Sequence, residues 1–417
     1  MKKQISGAVE ERLFTPILGE YDVIVAGAGP AGTAAAIAAG RAGCKTLLIE
    51  KTNAPGGMWT AGLVNPLFDG EGKPGLMREI LDELKNEGTY GGFWNISFDF
   101  ERMKTLLEEK LSEANVEILY DTLLVRAMTE GERVTGVIVE NISGRGAYLG
   151  KLFIDGTGNG DLAARSGCAF LMGGEAGRLD LQAMTLMFLV TGFPEKYRKG
   201  LFLQEKVLEA YQKSGKKPPF TMPYLITVPG GKFAVIQHTH MYDHDPLSAK
   251  SLSEANREGR RQMIELVELL RRYDEEFKDL QIILSAPQMG VRESRRIVGE
   301  YTLTYEDLLA GAGFFDGVAT VNFHVDIHPK DGNGQDCRPT KPYEIPFRSM
   351  LPKGKENLIV AGRCISGDHI AMASYRVTGD CVAMGEAAGI LAAESLQSAV
   401  PLRNLDVKAV LAGRRRE

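Results

Sequence analysis

A glycine cluster between two apolar runs dominates residues 21–51, YDVIVAGAGPAGTAAAIAAGRAGCKTLLIEK. The unbroken apolar run at residues 23–26 predicts a buried parallel strand, and residues 45–50 predict a second strand. The alanine-rich stretch between them, residues 31–43, predicts a helix. Glycines at positions 27, 29 and 32 form a GxGxxG pattern at the turn from strand to helix. This order of elements is typical of a βαβ unit that binds a dinucleotide.

Each glycine of this turn has its own physical role. Gly27 permits the tight turn, Gly29 lets the backbone approach a pyrophosphate, and Gly32 lets the helix pack close to the strand. The helix N-terminus offers free N–H groups and a positive dipole to the phosphates. Glu50 ends the second strand and can accept hydrogen bonds from ribose hydroxyls, so the site disfavours the 2′-phosphate of NADP.

Three further glycine-bearing turns are spread along the chain. They lie in APGGMWTAGLVNPL at residues 54–67, in KLFIDGTGNGDLAARSG at residues 151–167, and in NLIVAGRCISGDH at residues 357–369. Each follows or joins a predicted strand. A ligand that contacts all of these turns must be long and extended, and this favours FAD over NAD as the cofactor.

Several long motifs occur in an order that resembles one known family. Besides the glycine turns they include GVRESRRIVGEYTLTYEDLL, DIHPKDG, PYEIPFRSMLPKGKENLIVAGRCIS and YRVTGDCVAMGEAAGILAA. The chain resembles the FAD-dependent oxidoreductases of the glutathione-reductase-like flavoprotein superfamily, in the group marked by GRCIS, RV and GEAAG. The resemblance covers most of the chain and implies a non-hydroxylating flavoprotein. A departure is Gly367-Asp368, which is similar to a Gly-Asp motif of flavin hydroxylases that contacts the ribityl-phosphate segment.

The glycine turns and the resemblance together predict the contacts to FAD. The helix N-terminus near Thr378 is expected to face the pyrimidine end of the flavin and to stabilise negative charge there. The predicted cofactor-binding residues are Gly27, Ala28, Gly29, Pro30, Ala31, Gly32, Glu50, Lys51, Gly56, Gly57, Met58, Gly156, Thr157, Gly158, Gly362, Arg363, Arg376, Val377 and Thr378.

The predicted fold is α/β, with a Rossmann-like FAD-binding domain of the glutathione-reductase-like type and an inserted α+β substrate domain. The 417 residues exceed the size of one ordinary core. We expect a first part of the FAD-binding domain at 1–165, a substrate or cap domain at 166–345, and a C-terminal part of the FAD-binding domain at 346–417. Residues 251–280 predict a long amphipathic helix within the substrate domain.

Three residues are candidates for catalysis: His369, Arg292 and Arg376. His369 follows the Gly362 turn, where the resemblance places the flavin ring, and a histidine there can move a proton. It can equally serve as a structural hydrogen-bonding group. Arg376 precedes the helix that is expected to face the flavin.

Arg292 belongs to the sequence RESRR, which we predict to be a strand. On a strand Arg292 and Arg296 share a face, and two guanidinium groups can hold a substrate carboxylate. The alternative is a buried ion-pair network that includes Glu293 and Glu300.

No metal site is predicted. His238 and His240 are expected on one face of a strand, a spacing that can bind a metal, but no cysteine or carboxylate set completes such a site. Asp326 and His328 can form an orienting pair. Cys364 has no cysteine beside it in the sequence to form a redox pair, so we expect it to pack beside the cofactor.

Composition limits the partners. The net charge of −5 disfavours general binding to nucleic acid. No stretch approaches 18 apolar residues without charge, so no membrane span is expected. The first 20 residues have no apolar core of a secretory signal, and the five scattered cysteines favour a reducing compartment, so the expected location is cytoplasmic.

The predicted function is that of an FAD-dependent oxidoreductase that transfers a hydride between a small organic substrate and flavin N5. NAD(P)H or another electron carrier is left open as a second partner. Two alternatives also stay open: a flavin monooxygenase, suggested by Gly367-Asp368, and an electron-relay or binding protein that carries a flavin without a substrate of its own.

Overall fold

The computed structural model describes residues 4–5, 7–174, 177–330 and 332–414. Its central sheet is built on the first predicted strand, which begins earlier than expected and spans Ile17–Ala26. In hydrogen-bonded order the sheet contains Glu117–Leu119, Thr46–Ile49, Ile17–Ala26, Gly144–Asp155, Arg133–Asn141 and Leu123–Glu130, and Leu358–Val360 also pairs with Gly144–Asp155.

The parallel strands of this sheet end in one row. Ala26 pairs with Ile49 on one side and with Asp155 on the other, and Asp155 pairs with Val360. Each of these residues is the last of its strand. Four turns that are distant in sequence therefore begin at the same edge of the sheet, where ligands of parallel α/β sheets bind.

Ten α-helices occur in the part of the chain that is described. The first, Pro30–Arg41, starts with proline at N1, where the missing N–H costs nothing. The ten helices span Pro30–Arg41, Leu76–Asn86, Phe100–Glu113, Asp161–Arg165, Gln204–Ser214, Ala249–Tyr273, Tyr305–Ala310, His369–Tyr375, Thr378–Ser398 and Val407–Arg414.

The first helix is buried between the sheet and the helix Thr378–Ser398. A Cβ on Gly385 would lie 2.0 Å from the carbonyl oxygen of Ala31, and one on Gly389 would lie 2.3 Å from that of Ala35. The two helices can approach this closely only because small residues line both. Their contact fixes the N-terminal ends of both helices relative to the sheet.

A second sheet has five antiparallel strands. In sequence, these strands follow Gly144–Asp155 and precede Leu358–Val360, which both belong to the central sheet. The order of the second sheet is Leu201–Phe202, Tyr224–Thr227, Ala234–Gln237, Phe188–Thr191 and Gln281–Ser285. It has its own hydrophobic cluster, to which the predicted long helix contributes through Met263, Leu266, Val267, Leu269 and Leu270. That helix spans Ala249–Tyr273, so its prediction is confirmed up to residue 273, and a separate 3₁₀ turn at Glu275–Phe277 follows it.

The remaining strands form short pairs. They are Gln4–Ile5 with Ala8–Val9, Tyr90–Gly91 with Ser97–Phe98, Phe170–Leu171 with Arg296–Ile297, Gly317–Val321 with Tyr343–Pro346, and Val325–Ile327 with Asp336–Arg338. The fold is a mixed α/β structure with a Rossmann-like parallel core, as predicted.

The strand predicted for RESRR is wrong over most of its length. Only Arg296–Ile297 is a strand, and residues 291–295 form a loop. Side chains anchor this loop instead of a strand ladder, because Ser294 Oγ donates to Asn159 Oδ1 over 2.9 Å and Arg295 Nη1 donates to the Asn159 carbonyl over 3.1 Å.

The strand predicted for the histidine segment also ends early, at Gln237. Side chains satisfy the backbone that follows. Gln262 accepts from the His240 N–H over 2.9 Å and donates to the His240 carbonyl over 3.0 Å. Thr239 Oγ1 likewise accepts from the Leu186 N–H and donates to the Leu186 carbonyl.

Candidate active site

The glycine turns meet at the carboxyl edge of the parallel strands. A Cβ on Gly27 would lie 2.8 Å from the Thr157 Cα, and a Cβ on Gly57 would lie 2.9 Å from the Gly29 Cα. Gly27 and Gly57 have φ angles of +87° and +50°, which side chains rarely allow. The Gly56 N–H also donates to the Ala28 carbonyl over 2.7 Å. Three segments far apart in sequence are thus in backbone contact.

Gly29 differs from the other glycines of the first turn. A Cβ on Gly32 would lie 1.7 Å from the Gly27 carbonyl oxygen, so the protein itself requires glycine at position 32. A Cβ on Gly29 would have as its nearest neighbour the Gly156 carbonyl oxygen at 3.9 Å, which is an ordinary contact. The protein does not fill the space beside Gly29, and this space fits a phosphate close to the backbone.

The last turn connects to the others through Gly362 and Arg363. A Cβ on Gly362 would lie 3.1 Å from the Ala31 Cβ. Arg363 donates from Nε to the Gly158 carbonyl over 2.9 Å and from Nη2 to Asn159 Oδ1 over 2.6 Å. Burial lowers the pKa of Arg363 to about 10. The predicted cofactor residues of four turns therefore surround a common edge.

Two buried acids shape these turns. Glu50 accepts from the Ala28 N–H over 2.6 Å and from the N–H and hydroxyl of Thr52 over 2.9 Å each. Asp155 accepts from Thr157, through its N–H and its hydroxyl, and from the Ala163 N–H. Glu50 was predicted to be a ligand group, whereas no pattern in the sequence indicated the role of Asp155. The side chain of the neighbouring Lys51 is exposed.

The long helix Thr378–Ser398 has Val377 as its N-cap, so Arg376 comes two residues before the helix in sequence. A Cβ on Gly379 would lie 2.3 Å from the Asp69 carbonyl oxygen, so residues 68–69 cross this helix N-terminus. The segment that leads to this crossing starts at Gly57–Trp59, next to the first glycine turn.

Asn65 lies in that connecting segment and was missed by the sequence analysis. It is fully buried, and both its amide nitrogen and its amide oxygen have no hydrogen-bond partner in the described residues. The indole nitrogen of Trp59 is also buried and has no hydrogen-bond partner in the described residues. Such groups are costly unless a ligand satisfies them, and a flavin ring carries both N–H and C=O groups. The only sequence signal was an asparagine within an apolar run before Pro66.

Arg376 belongs to a polar cluster with Gln182 and Asp326. Its Nη2 donates to Gln182 Oε1 over 3.1 Å and to the Asp326 carbonyl over 2.7 Å, and it lies 3.6 Å from Asp326 Oδ2. Burial lowers the pKa of Arg376. Among the described residues, buried Gln182 Nε2 and Asp326 Oδ1 have no partner.

Arg292 joins this cluster, whereas Arg296 does not. Arg292 Nη1 donates to the Ala183 carbonyl over 2.7 Å and to Thr185 Oγ1 over 2.6 Å. Burial, followed by the charge of Arg376, lowers the pKa of Arg292 to about 9. Arg296 is instead bound to Glu293 and to the Gly367 and Gly173 carbonyls. Arg376 Nη1 also donates to the Arg292 carbonyl over 3.4 Å, so Arg292 lies beside Arg376, whereas the side chain of Arg296 has other partners.

The buried ion-pair alternative is right for Arg296 and Glu293 but wrong for Glu300, which pairs with Arg403. Glu293 also binds His369, whose Nδ1 lies 2.9 Å from its Oε1. His369 starts the helix His369–Tyr375, and its side chain is 25% exposed. The structure thus holds this predicted catalytic residue against a buried carboxylate.

Buried histidines adjoin the arginine cluster. His240 Nε2 lies 2.9 Å from His328 Nδ1, and His328 Nε2 lies 3.5 Å from Asp326 Oδ2. Burial and then the charge of Arg292 lower the pKa of His328 to about 4. Burial raises the pKa of Asp326, but the hydrogen bond and charge of His328 and the charges of Arg376 and Arg292 outweigh this and lower it overall.

Two other candidates have structural surroundings. Asp368 caps its helix, since Oδ1 accepts from the Ala371 N–H over 2.6 Å and Oδ2 accepts from the Tyr305 N–H over 2.8 Å. Cys364 is buried, and burial raises the pKa of its thiol well above the ordinary value.

The third histidine of the predicted histidine segment, His244, contacts Glu258. Within the described ranges, no three His, Cys, Asp or Glu residues are grouped as for a metal.

The fold and the convergent turns define a dinucleotide-binding flavoprotein. Residues 22–412 match the sequence profile of the family described as FAD dependent oxidoreductase, and the chain belongs to this family. It is accordingly an FAD-dependent enzyme, and FAD is its cofactor.

Curated proteins share part of the sequence of this chain. Over 122 residues the chain is 36% identical to thiamine thiazole synthase of Aeropyrum pernix, a match that covers 28% of this chain and 43% of that protein. The matches to that protein and to two other curated relatives cover 12% to 43% of the relatives' lengths, so the chain spans less than half the length of each. No helix in the described residues is both long and apolar enough to cross a membrane.

Solved structures with low sequence identity share the fold. A geranylgeranyl bacteriochlorophyll reductase-like protein from Thermoplasma acidophilum superimposes with a TM-score of 0.50 at 14% identity, covering 95% of this chain and 84% of that one. A flavin-dependent brominase, as a triple mutant, gives a TM-score of 0.52 at 14% identity and the same coverage of both chains. At this identity the likeness concerns the fold alone.

Proposed function

We propose that the protein transfers a hydride between a small organic substrate and FAD. The observation that carries this proposal is the cluster of Arg292, Arg376, Gln182 and Asp326. It precedes the helix Thr378–Ser398 and contains buried polar atoms that have no partner among the described residues. A merely structural cluster would satisfy these atoms internally. When bound, FAD supplies the redox chemistry, and the chain supplies position and electric field.

The proposed cofactor contacts follow the convergent turns. Residues 27–32 and the N-terminus of the helix Pro30–Arg41 hold the pyrophosphate. Glu50 faces the adenosine ribose, where Oε2, which accepts only the Ala28 N–H among the described residues, can accept a further hydrogen bond. The turns at residues 56–58, 156–158 and 362–363 border the extended cofactor.

Arg376 and His369 have different proposed roles. Arg376, with the N-terminus of the helix at Val377 and Thr378, stabilises negative charge at the pyrimidine end of the flavin. His369 receives or supplies the proton of the substrate, with its ring orientation set by Glu293.

The domain division is part of the same proposal. Residues 1–165 and 346–417 form a glutathione-reductase-like FAD-binding domain, and residues 166–345 form an inserted substrate domain. Two observations support this: the central sheet takes its strands from both flanking parts, and a separate hydrophobic cluster lies within residues 188–280.

Anaerobic reduction of the purified holoenzyme by a panel of metabolites tests the proposal. We expect at least one small organic compound to bleach the visible flavin band without oxygen. If only NAD(P)H bleaches the flavin, and oxygen then yields a hydroxylated product, the protein is a monooxygenase instead. If no compound reduces the flavin while an electron-carrier protein does, it is an electron relay.

The Gly367-Asp368 motif suggested a monooxygenase, but the contacts of Asp368 give little support to that function. Both carboxylate oxygens of Asp368 accept backbone N–H groups of the protein, so this residue has a structural function as a helix cap. The hydride-transfer proposal is therefore favoured over the monooxygenase alternative.

A further inference from the structure

The polar cluster beside the proposed flavin site has unmet hydrogen-bonding capacity of two kinds. Gln182 is 5% exposed, and its Oε1 accepts from both Arg376 Nη2 and the His328 N–H. These two donors fix the orientation of the amide, so Nε2 is the atom that has no partner in the described part of the chain. Asp326 Oδ1 is a buried acceptor that also lacks one. A complementary ligand must therefore both accept and donate.

The charges of this cluster do not balance. Arg292 and Arg376 bring two guanidinium groups, and among the described residues the carboxylates whose charges act on them are Asp326 and Glu293. Glu293 is bound to Arg296. The contacts of Arg292 are with the neutral Ala183 carbonyl and Thr185 hydroxyl. Burying such an excess charge is costly unless an anion joins it.

We propose that this cluster binds a small hydroxycarboxylic acid. Its carboxylate is held by Arg292, Arg376 and the Gln182 amide, and its hydroxyl donates to Asp326 Oδ1. The guanidinium fork suits a carboxylate in particular. A hydroxyl fits Asp326 better than an ammonium group, because an ammonium would restore the excess positive charge that the carboxylate removes.

This inference rests on the proposed function, since it names the substrate class of the same site. It differs in what it requires. Hydride transfer requires that a compound reduce the flavin, whereas this inference requires that acids bind more tightly than their neutral counterparts. Binding can be measured without turnover on holoenzyme whose flavin is already reduced by dithionite, because a reduced flavin accepts no hydride.

The test compares matched probes by flavin difference absorbance and thermal shift. The hydroxy acids are glycolate, lactate and mandelate, the neutral probes are their amides, and the deoxy acids are acetate, propionate and phenylacetate. We expect at least one hydroxy acid to bind, with its amide weaker by about 30-fold or more and its deoxy acid weaker by roughly 10-fold.

Variants of Arg292 locate the binding. Arg292→Met should weaken the acid by about 30-fold or more and leave the weak affinity for the amide unchanged. Arg292→Lys retains the charge and should recover part of the affinity. This variant keeps the test valid if Arg292→Met loses flavin or melts early. Arg133→Met, at an exposed ion pair with Glu356, is the control and should bind like the parent protein.

Equal affinity for an acid and its amide, or no binding of any hydroxy acid, would overturn the inference. A protein that binds hydroxy acids but is reduced by no compound would support the inference and contradict the proposed function. A protein that is reduced only by neutral compounds and ignores acids would do the reverse.

Discussion

His369 Nδ1 lies 2.9 Å from Glu293 Oε1, and the same carboxylate oxygen binds Arg296 Nη1. Glu293 is 1% exposed. One buried carboxylate thus orients the imidazole on one side and neutralises a buried guanidinium on the other. The loop that carries Glu293 therefore connects the stability of the protein to the geometry of the proposed proton-transfer residue.

The first prediction concerns stability. Glu293→Gln leaves Arg296 buried without a counter-charge and should lower the free energy of unfolding by about 3–5 kcal/mol. Chemical denaturation of the holoenzyme measures this. Glu356→Gln breaks the exposed pair with Arg133 and should change the same quantity by less than about 1 kcal/mol. If the two variants lowered the free energy of unfolding by similar amounts, the buried ion pair would stabilise the protein no more than the exposed one.

The second prediction concerns catalysis. His369→Gln should retain FAD and lower the rate of anaerobic flavin reduction by about 100-fold, because the proton-transfer group is lost. Its reduction rate should also lose the part of the pH dependence that the imidazole contributes. Stopped-flow measurements over pH, with the exposed His324→Gln as control, check both points. An unchanged rate and pH profile would leave His369 with only a structural role.

The third prediction concerns acid stability. Burial lowers the pKa of His238 to about 3 and is the largest cause of the fall of His328 to about 4. It also lowers the pKa of His240 well below the ordinary value. An unfolded histidine titrates near pH 6.5. Between that pH and about 4 the unfolded chain binds more protons, so the free energy of unfolding should fall as pH falls.

The slope should approach about 1.4 kcal/mol per pH unit for each buried histidine. Asp326 does not add to it, because a lowered carboxylate pKa affects stability only below the unfolded value of about 3.9. Denaturation at a series of pH values measures the slope. His238→Gln should reduce it and His324→Gln should not. An unchanged slope in His238→Gln would mean that His238 is protonated in the folded protein.

Local signals were sufficient for the Rossmann-like core. The run at residues 23–26 is buried on both faces of a parallel sheet, and such strands need no partner information to be recognised. The glycine at position 32 is likewise explained locally, because a side chain there would clash with the Gly27 carbonyl. Long-range contacts decided the failures: Gln262, 22 residues away in sequence, takes the backbone hydrogen bonds of His240 and ends the predicted strand.

The candidate site was only partly predictable for the same reason. Arg292 and Arg376 are 84 residues apart and meet only in the folded chain. The sequence analysis therefore paired Arg292 with its neighbour Arg296 by strand periodicity, and the loop at residues 291–295 removes that periodicity. Asn65 has only a weak sequence signal and Gln182 has none, because their importance lies in hydrogen bonds that the described residues leave unmade.

The most direct test of the convergence of these turns around FAD is the FAD dissociation constant of Gly29→Ala. The added methyl group has an ordinary contact at 3.9 Å within the protein but enters the space proposed for the pyrophosphate. We predict an apoprotein with the melting temperature of the parent and an FAD affinity reduced by about 10-fold or more. An unchanged FAD affinity, with the fold intact, would contradict the account.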